Sequence, residues 1–183
     1  MPVQEMKLPG RHNAANALAA IALGDAMGLP MEAMLRTLTV FPGLPHRSQL
    51  VAECGGVRFI DDSKGTNVGA TIAAVNGLLA PLVVIAGGDG KGQDFAPLAD
   101  AFSGRVHHAV LIGRDRVQLA EALAGVCEIT LVDDMDAAVK CAFSVAKAGD
   151  IVLLSPACAS FDMFKDYADR GSRFAAAAKG LLQ

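Results

Sequence analysis

Three short segments concentrate the side chains suited to anion chemistry. Asp61-Asp62-Ser63-Lys64-Gly65-Thr66-Asn67 places carboxylates, hydroxyls and a lysine within seven residues. Asp62 could hold ribose hydroxyls there and Lys64 could face a phosphate, while Thr66 or Asn67 can cap the helix that follows. A helix cap plus a salt bridge would account for the same residues. Gly87-Gly88-Asp89-Gly90-Lys91-Gly92 is a glycine-rich loop with one lysine. Its amides could cradle an anion while Lys91 supplies charge; a tight turn carrying a solvated lysine is the alternative. Ser155-Pro156-Ala157-Cys158-Ala159-Ser160 ends on a serine at the expected start of the last helix. A hydroxyl and free amides there favour a carboxylate, although an ordinary N-cap has the same signature.

Other chemistries lack their residues. The glycine loop is no Walker A loop: Ile85 stands where the first glycine belongs, and Gly92 follows Lys91. A dinucleotide fingerprint beginning at Gly88 would need a third glycine where Gln93 stands. No GxSxG elbow occurs, and His12, His46, His107 and His108 have no metal-ligand spacing. Cys54, Cys127, Cys141 and Cys158 are far apart and read as reduced thiols packed as small hydrophobes.

The elements that must position these segments alternate. Short apolar strands are expected at 57–60, 82–86, 109–112, 128–132 and 151–154. Helices are expected at 68–78, 95–102, 116–124, 135–146 and from 161 to about 180. This pattern predicts an α/β fold: a Rossmann-like, mostly parallel sheet with helices on both faces. All three segments follow strands, so they share the carboxyl rim, where such sheets bind ligands. His107-His108 precede a strand and belong on the opposite rim. Before the sheet, 13–27 and 31–39 read as helices with large apolar faces, and Phe41-Pro42-Gly43-Leu44-Pro45 breaks regular structure. The expected division is 1–48, a helical end of another domain plus a linker, and 49–183, the sheet domain.

Of 183 residues, 52% are apolar and 19% charged, with net charge −3. That profile is globular, and no Lys/Arg-rich run suggests nucleic acid. Residues 68–88 lack charge over a span long enough to cross a membrane. Asn76, Gly77 and Pro81 interrupt it, so a helix followed by a buried strand is expected, in a cytoplasmic protein with no leader peptide.

The motifs together resemble the Mur ligase family. Leu8-Pro9-Gly10-Arg11-His12-Asn13 with Asn16 is similar to the end of that family's central ATP-binding domain, and Pro42-Gly43-Leu44-Pro45-His46-Arg47 to its interdomain junction. The three rim segments resemble the branch that adds D-glutamate. The resemblance implies an ADP-forming amide-bond ligase of peptidoglycan precursor synthesis, using ATP and Mg2+. It would phosphorylate the carboxylate of UDP-N-acetylmuramoyl-L-alanine before D-glutamate attacks. Asn13, Asn16, Arg47 and Asp62 would bind ATP; Arg47 and Lys64 would act on the transferred phosphoryl group. Thr66, Lys91, Ser160, Phe161 and Tyr167 would hold D-glutamate. Gly65 replaces a more usual alanine, with little consequence expected. No GxxxxGK[ST] sequence is present. The expectation is therefore a piece of a longer enzyme, inactive alone, with its metal ligands elsewhere. The alternatives are a sister Mur or folylpolyglutamate-type ligase and a stand-alone Rossmann-like nucleotide-binding module.

Overall fold

A computed structural model describes residues 2–7 and 11–182. A six-stranded sheet has the order β1-β2-β6-β3-β4-β5. The strands are β1 (Gln49–Cys54), β2 (Val57–Asp61), β3 (Leu82–Gly87), β4 (Val106–Ile112), β5 (Glu128–Leu131) and β6 (Ile151–Leu154). Only the β1–β2 pair is antiparallel. β1 departs from the sequence expectation, which began the sheet at residue 57. Its faces are mixed, with Ala52 alone buried, so neither a continuous apolar run nor a strict alternation marks it. The Gly55-Gly56 hairpin turn, at φ 58° and 77°, was the available signal.

Strand alternation sends Leu82, Val84 and Ala86 to one face and Val83 and Ile85 to the other. The first face is covered by α3 (Val68–Gly77), α4 (Pro97–Phe102) and α5 (Arg116–Ala122), through Val75, Leu98, Phe102 and Leu119. The second is covered by α6 (Met135–Val145) and α7 (Tyr167–Gly180), through Met135, Val139 and Phe174. β2 and β3 therefore lead to helices on one face, while β6, between them, leads to a helix on the other. Such a reversal opens a crevice at the carboxyl ends of the strands. The rim segments leave β2, β3 and β6, at that place.

α1 (Arg11–Ala26) and α2 (Met31–Val40) precede the sheet, with α1 against α3. Ala17 is buried, whereas Leu18, Leu23 and Met27 are exposed. α7 starts later than expected. The amides of Met163 and Phe164 turn back onto the Ser160 carbonyl, and Asp166 caps the helix by accepting from the Asp169 amide. Ser160 is thus not an N-cap, which removes the carboxylate-at-helix-start argument for it. His107 and His108 lie inside β4, near its first residue, and not ahead of it; His107 Nε2 pairs with Asp150 Oδ2 at 2.9 Å. No helix of the described residues is long and apolar enough to cross a membrane.

Candidate functional site

Four non-glycine residues among those described have a backbone in the left-handed region: His46, Ser48, Lys91 and Ala157, with φ of 62°, 48°, 53° and 58°. All four belong to the carboxyl rim or the linker folded over it. Each such residue costs on the order of 1–3 kcal/mol, and strain of this kind collects where geometry serves a ligand.

The loop after β2 commits nearly every side chain. Asp61 is fully buried; its Oδ1 accepts from the Ser63 amide at 2.9 Å and its Oδ2 lies 2.7 Å from His46 Nδ1. Asp62 faces the other way. Its Oδ1 accepts from the Ser48 amide at 3.1 Å and its Oδ2 from the Ser155 hydroxyl at 2.9 Å. Burial pushes the Asp62 carboxyl up to about 6, against the lowering effect of those bonds. Together these contacts fasten the linker to the sheet, helped by the Lys64 amide, which donates to the His46 carbonyl at 3.0 Å. Lys64 Nζ lies 4.0 Å from the centre of the Tyr167 ring, and the His46 ring meets that ring edge-on at 6.1 Å. Asn67, not Thr66, caps α3, accepting from the Ala70 amide at 2.9 Å.

Gly65 corrects an expectation. A Cβ there would lie 2.7 Å from Asp62 Oδ2 and 2.8 Å from Ser155 Oγ. In this chain the glycine makes room for the Asp62–Ser155 bond, so alanine would displace a site carboxylate.

Asn13, Asn16, Arg47, Ser48, Asp62, Lys64 and Gly65 line one cleft of about 220 Å³, floored by Ala70, Ala73 and Ala74 of α3. The structure thus brings together every residue expected to bind ATP. Arg47 and Asn16 are exposed, and Asn13 is buried. Of the Leu8–Asn13 motif, Leu8, Pro9 and Gly10 lie outside the described residues, as do the side chains of Arg11 and His12.

The glycine loop after β3 overturns the expected amide cradle. The amides of Gly87, Asp89, Gly90 and Lys91 donate to the Pro156 carbonyl, the Ala159 carbonyl, Asp115 Oδ2 and Asp89 Oδ1. Those donors are spent on shaping the loop. Gly88, at φ 132°, touches the Ala159 carbonyl so closely that no Cβ fits. Lys91 itself is exposed, and its ammonium has no partner among the described residues.

The three loops are stitched to one another. Asp89 and Ala159 form an antiparallel bridge, and the Ala157 amide donates to the Gly65 carbonyl at 2.9 Å. Gln93 touches all three. Its Oε1 accepts from the Val68 amide, and its Nε2 donates to the carbonyls of Gly90 and Ala157. The loops that carry Thr66, Lys91 and Ser160 are thus joined to one another, with Ser160 buried and Thr66 half-buried. Tyr167 lies under Lys64, and Phe161 is 73% exposed. The burial of Cys158 pushes its thiol up to about 12, which removes it as a nucleophile near neutrality. Sequence reasoning gave no site role to His46, Ser48, Ser155 or Gln93, although Ser155 opened one rim segment and His46 stood in the junction motif.

Residues 46–158 match the family described as Mur ligase, glutamate ligase domain. The UDP-N-acetylmuramoylalanine–D-glutamate ligase of Chromohalobacter salexigens is 53% identical over 178 residues, covering 95% of this chain and 39% of that protein. The enzyme of the same name from Pseudomonas putida is 53% identical over 185 residues, covering 99% and 41%. The chain thus spans about two fifths of these relatives. The crystal structure of the UDP-N-acetylmuramate–alanine ligase of Thermotoga maritima shares the fold, with a TM-score of 0.71 at 20% identity over 96% of this chain and 39% of that one. The chain belongs to the Mur ligase family, in its glutamate ligase domain.

Proposed function

We propose that the chain is the C-terminal part of the ligase that joins D-glutamate to UDP-N-acetylmuramoyl-L-alanine, an ADP-forming step of peptidoglycan precursor synthesis in the cytoplasm. The observation that carries this reading is the convergence of Asn13, Asn16, Arg47, Asp62 and Lys64 on one cleft. Beside it lie the joined loops that carry Thr66, Lys91 and Ser160. Relatives that carry the name of this ligase match 95% and 99% of the chain at about half identity. On this reading residues 1–48 are the end of the central domain with its linker, and 49–183 are the C-terminal domain. The exposed Leu18, Leu23 and Met27 fit that division better than a stand-alone module.

The side chains present suit the reaction's electrostatics. Arg47 and Lys64 bring two cations to the cleft, where charge moves as a phosphoryl group passes to the acceptor carboxylate. Asp62 offers a carboxylate to ribose hydroxyls, and Asn13 and Asn16 offer amides to the base. A dicarboxylic amino acid needs cationic and hydroxyl partners, and Lys91, Thr66 and Ser160 supply them. Orienting its amine toward the acyl phosphate would supply much of the rate. Among the described residues no group of three His, Cys, Asp or Glu side chains could hold Mg2+, so no step here is assigned to a metal held by them. The chain alone is expected to leave ATP unhydrolysed.

Phosphate release by the full-length ligase that carries this chain tests the proposal. With ATP and UDP-N-acetylmuramoyl-L-alanine, release should depend on D-glutamate. Turnover with another amino acid in preference to it would assign a sister ligase.

A further inference from the structure

Arg170, in the first turn of α7, is fully buried. Its Nε donates to Ser63 Oγ at 3.0 Å, Nη2 to the Ser63 carbonyl at 2.9 Å and Nη1 to the Cys158 carbonyl at 3.1 Å. Among the described residues no carboxylate pairs with it directly, although Asp61 and Asp162 act on it at longer range. Desolvation lowers its guanidinium to about 10, so it stays charged near neutrality. Burying a cation whose fork is filled by neutral oxygens is costly, and the rigid fork lets one side chain hold three acceptors at once.

Those acceptors lie on two loops. Ser63 is three residues before Thr66, and Cys158 is two before Ser160. The same loops are also joined by Asp62 with Ser155 and by Gly65 with Ala157. Of these links the one through Arg170 reaches Cys158, the nearest to Ser160, and it is the one made by a side chain of α7. One residue on, Ala159 is tied instead to Asp89 in the lysine loop. The spacing of Ser160 from Lys91 thus rests on the β-bridge, and its spacing from Thr66 rests on the main-chain bond between Gly65 and Ala157 and on the Arg170 side chain.

We infer that Arg170 is a positioning residue that sets the width of the amino-acid pocket between Thr66 and Ser160, and so its selectivity for side-chain length. The inference rests on the D-glutamate reading above. A ligand with one methylene fewer, D-aspartate, cannot span a rigid gap fitted to glutamate. A gap that can breathe accepts both.

The test uses the full-length ligase with Arg170→Lys, which keeps the charge and loses the fork. Ser63→Ala is a second variant that removes the Nε acceptor and the 2.7 Å bond from the Ser63 hydroxyl to the Tyr167 carbonyl, with no change of charge, and Phe174→Leu in the core controls for general loosening. Arg170→Lys should lower kcat/KM for D-glutamate about tenfold, as expected for a small misplacement, with KM for ATP within about twofold. The preference for D-glutamate over D-aspartate should also fall about tenfold, a range typical of one methylene. Ser63→Ala should move both in the same direction, and Phe174→Leu should leave the preference alone. An unchanged preference in Arg170→Lys and Ser63→Ala, or an equal drop in Phe174→Leu, overturns the inference. Hydrogen exchange on the same proteins without ligand should rise in 63–66 and 157–160 for Arg170→Lys, and no rise would overturn the brace. If the unaltered ligase ignores D-glutamate, the functional reading falls, and the exchange result still decides the brace.

Discussion

The two lysines of the rim are presented in opposite ways. Around Lys64 the side chains are committed: Asp61 to His46, Asp62 to Ser48 and Ser155, Ser63 to Arg170, and Lys64 to the Tyr167 ring. Around Lys91 the backbone is committed and the lysine is not. Its loop is shaped by amide bonds to Pro156, Ala159, Asp115 and Asp89. A template that must hold a nucleotide in one orientation benefits from locked side chains. A lysine that must reach a small anion benefits from a fixed base and a free tip, because its stem keeps its rotamers until the ligand arrives. The difference is between stability stored in side chains and stability stored in main chain, and substitutions can separate the two.

The largest effect should come from the main chain under Lys91. Gly88→Ala puts a methyl against the Ala159 carbonyl at a φ of 132°. Strain and overlap together should cost about 3 kcal/mol. Urea unfolding of the chain measures it. A cost below about 0.5 kcal/mol, the ordinary surface value, would show that the loop is not held by its backbone.

A smaller effect, of opposite sign, should come from the side chains around Lys64. The Asp62 carboxyl sits at about 6 in the fold, raised by burial from the ordinary value of 3.8. The folded chain therefore holds the proton more tightly than the unfolded one, and stability falls as pH rises from about 4 through about 6. The loss is on the order of 2–3 kcal/mol. Asp62→Asn removes that titration. Its unfolding free energy should stay flatter over the same range and exceed that of the unaltered chain at pH 7.5 by about 1–2 kcal/mol, while nucleotide binding weakens. Parallel pH profiles for the two proteins would mean that Asp62 is not the group being desolvated.

What the sequence revealed follows the same division. The strands that are buried on both faces, 82–87 and 151–154, were legible because continuous apolar runs between turn residues have few other meanings. Placing the three polar segments on one rim followed from strand order in any parallel sheet. Fastenings were not legible. His46 meets Asp61 across 15 positions, Gln93 meets Ala157 across 64, and Arg170 meets Ser63 across 107. Such pairings depend on the crossovers of the folded chain and leave no periodic trace. The start of α7 was misplaced for a related reason. The carbonyl of Ser160 closes a local turn, and Asp166, the true cap, stands six residues later. The amide cradle failed because a glycine loop reads the same whether its N–H groups face a ligand or a neighbouring loop.

The smallest effect on stability, and the sharpest on function, should belong to Lys91. Its ammonium has no partner among the described residues, and its backbone amide, bonded to Asp89 Oδ1, survives any substitution except proline. Lys91→Ala should therefore leave the unfolding free energy within about 0.5 kcal/mol. Some gain is lost because alanine at φ 53° is as strained as lysine, so no strain is relieved. In the full-length ligase the same change should raise KM for D-glutamate at least about tenfold, the loss expected for one charge-assisted bond, and leave KM for ATP within about twofold. Lys64→Ala should do the reverse, acting on ATP and on kcat while also loosening the Tyr167 contact. Equal effects of the two alanines on both substrates would mean that the rim works as one undivided cationic patch, and the contrast between its halves would have no functional meaning.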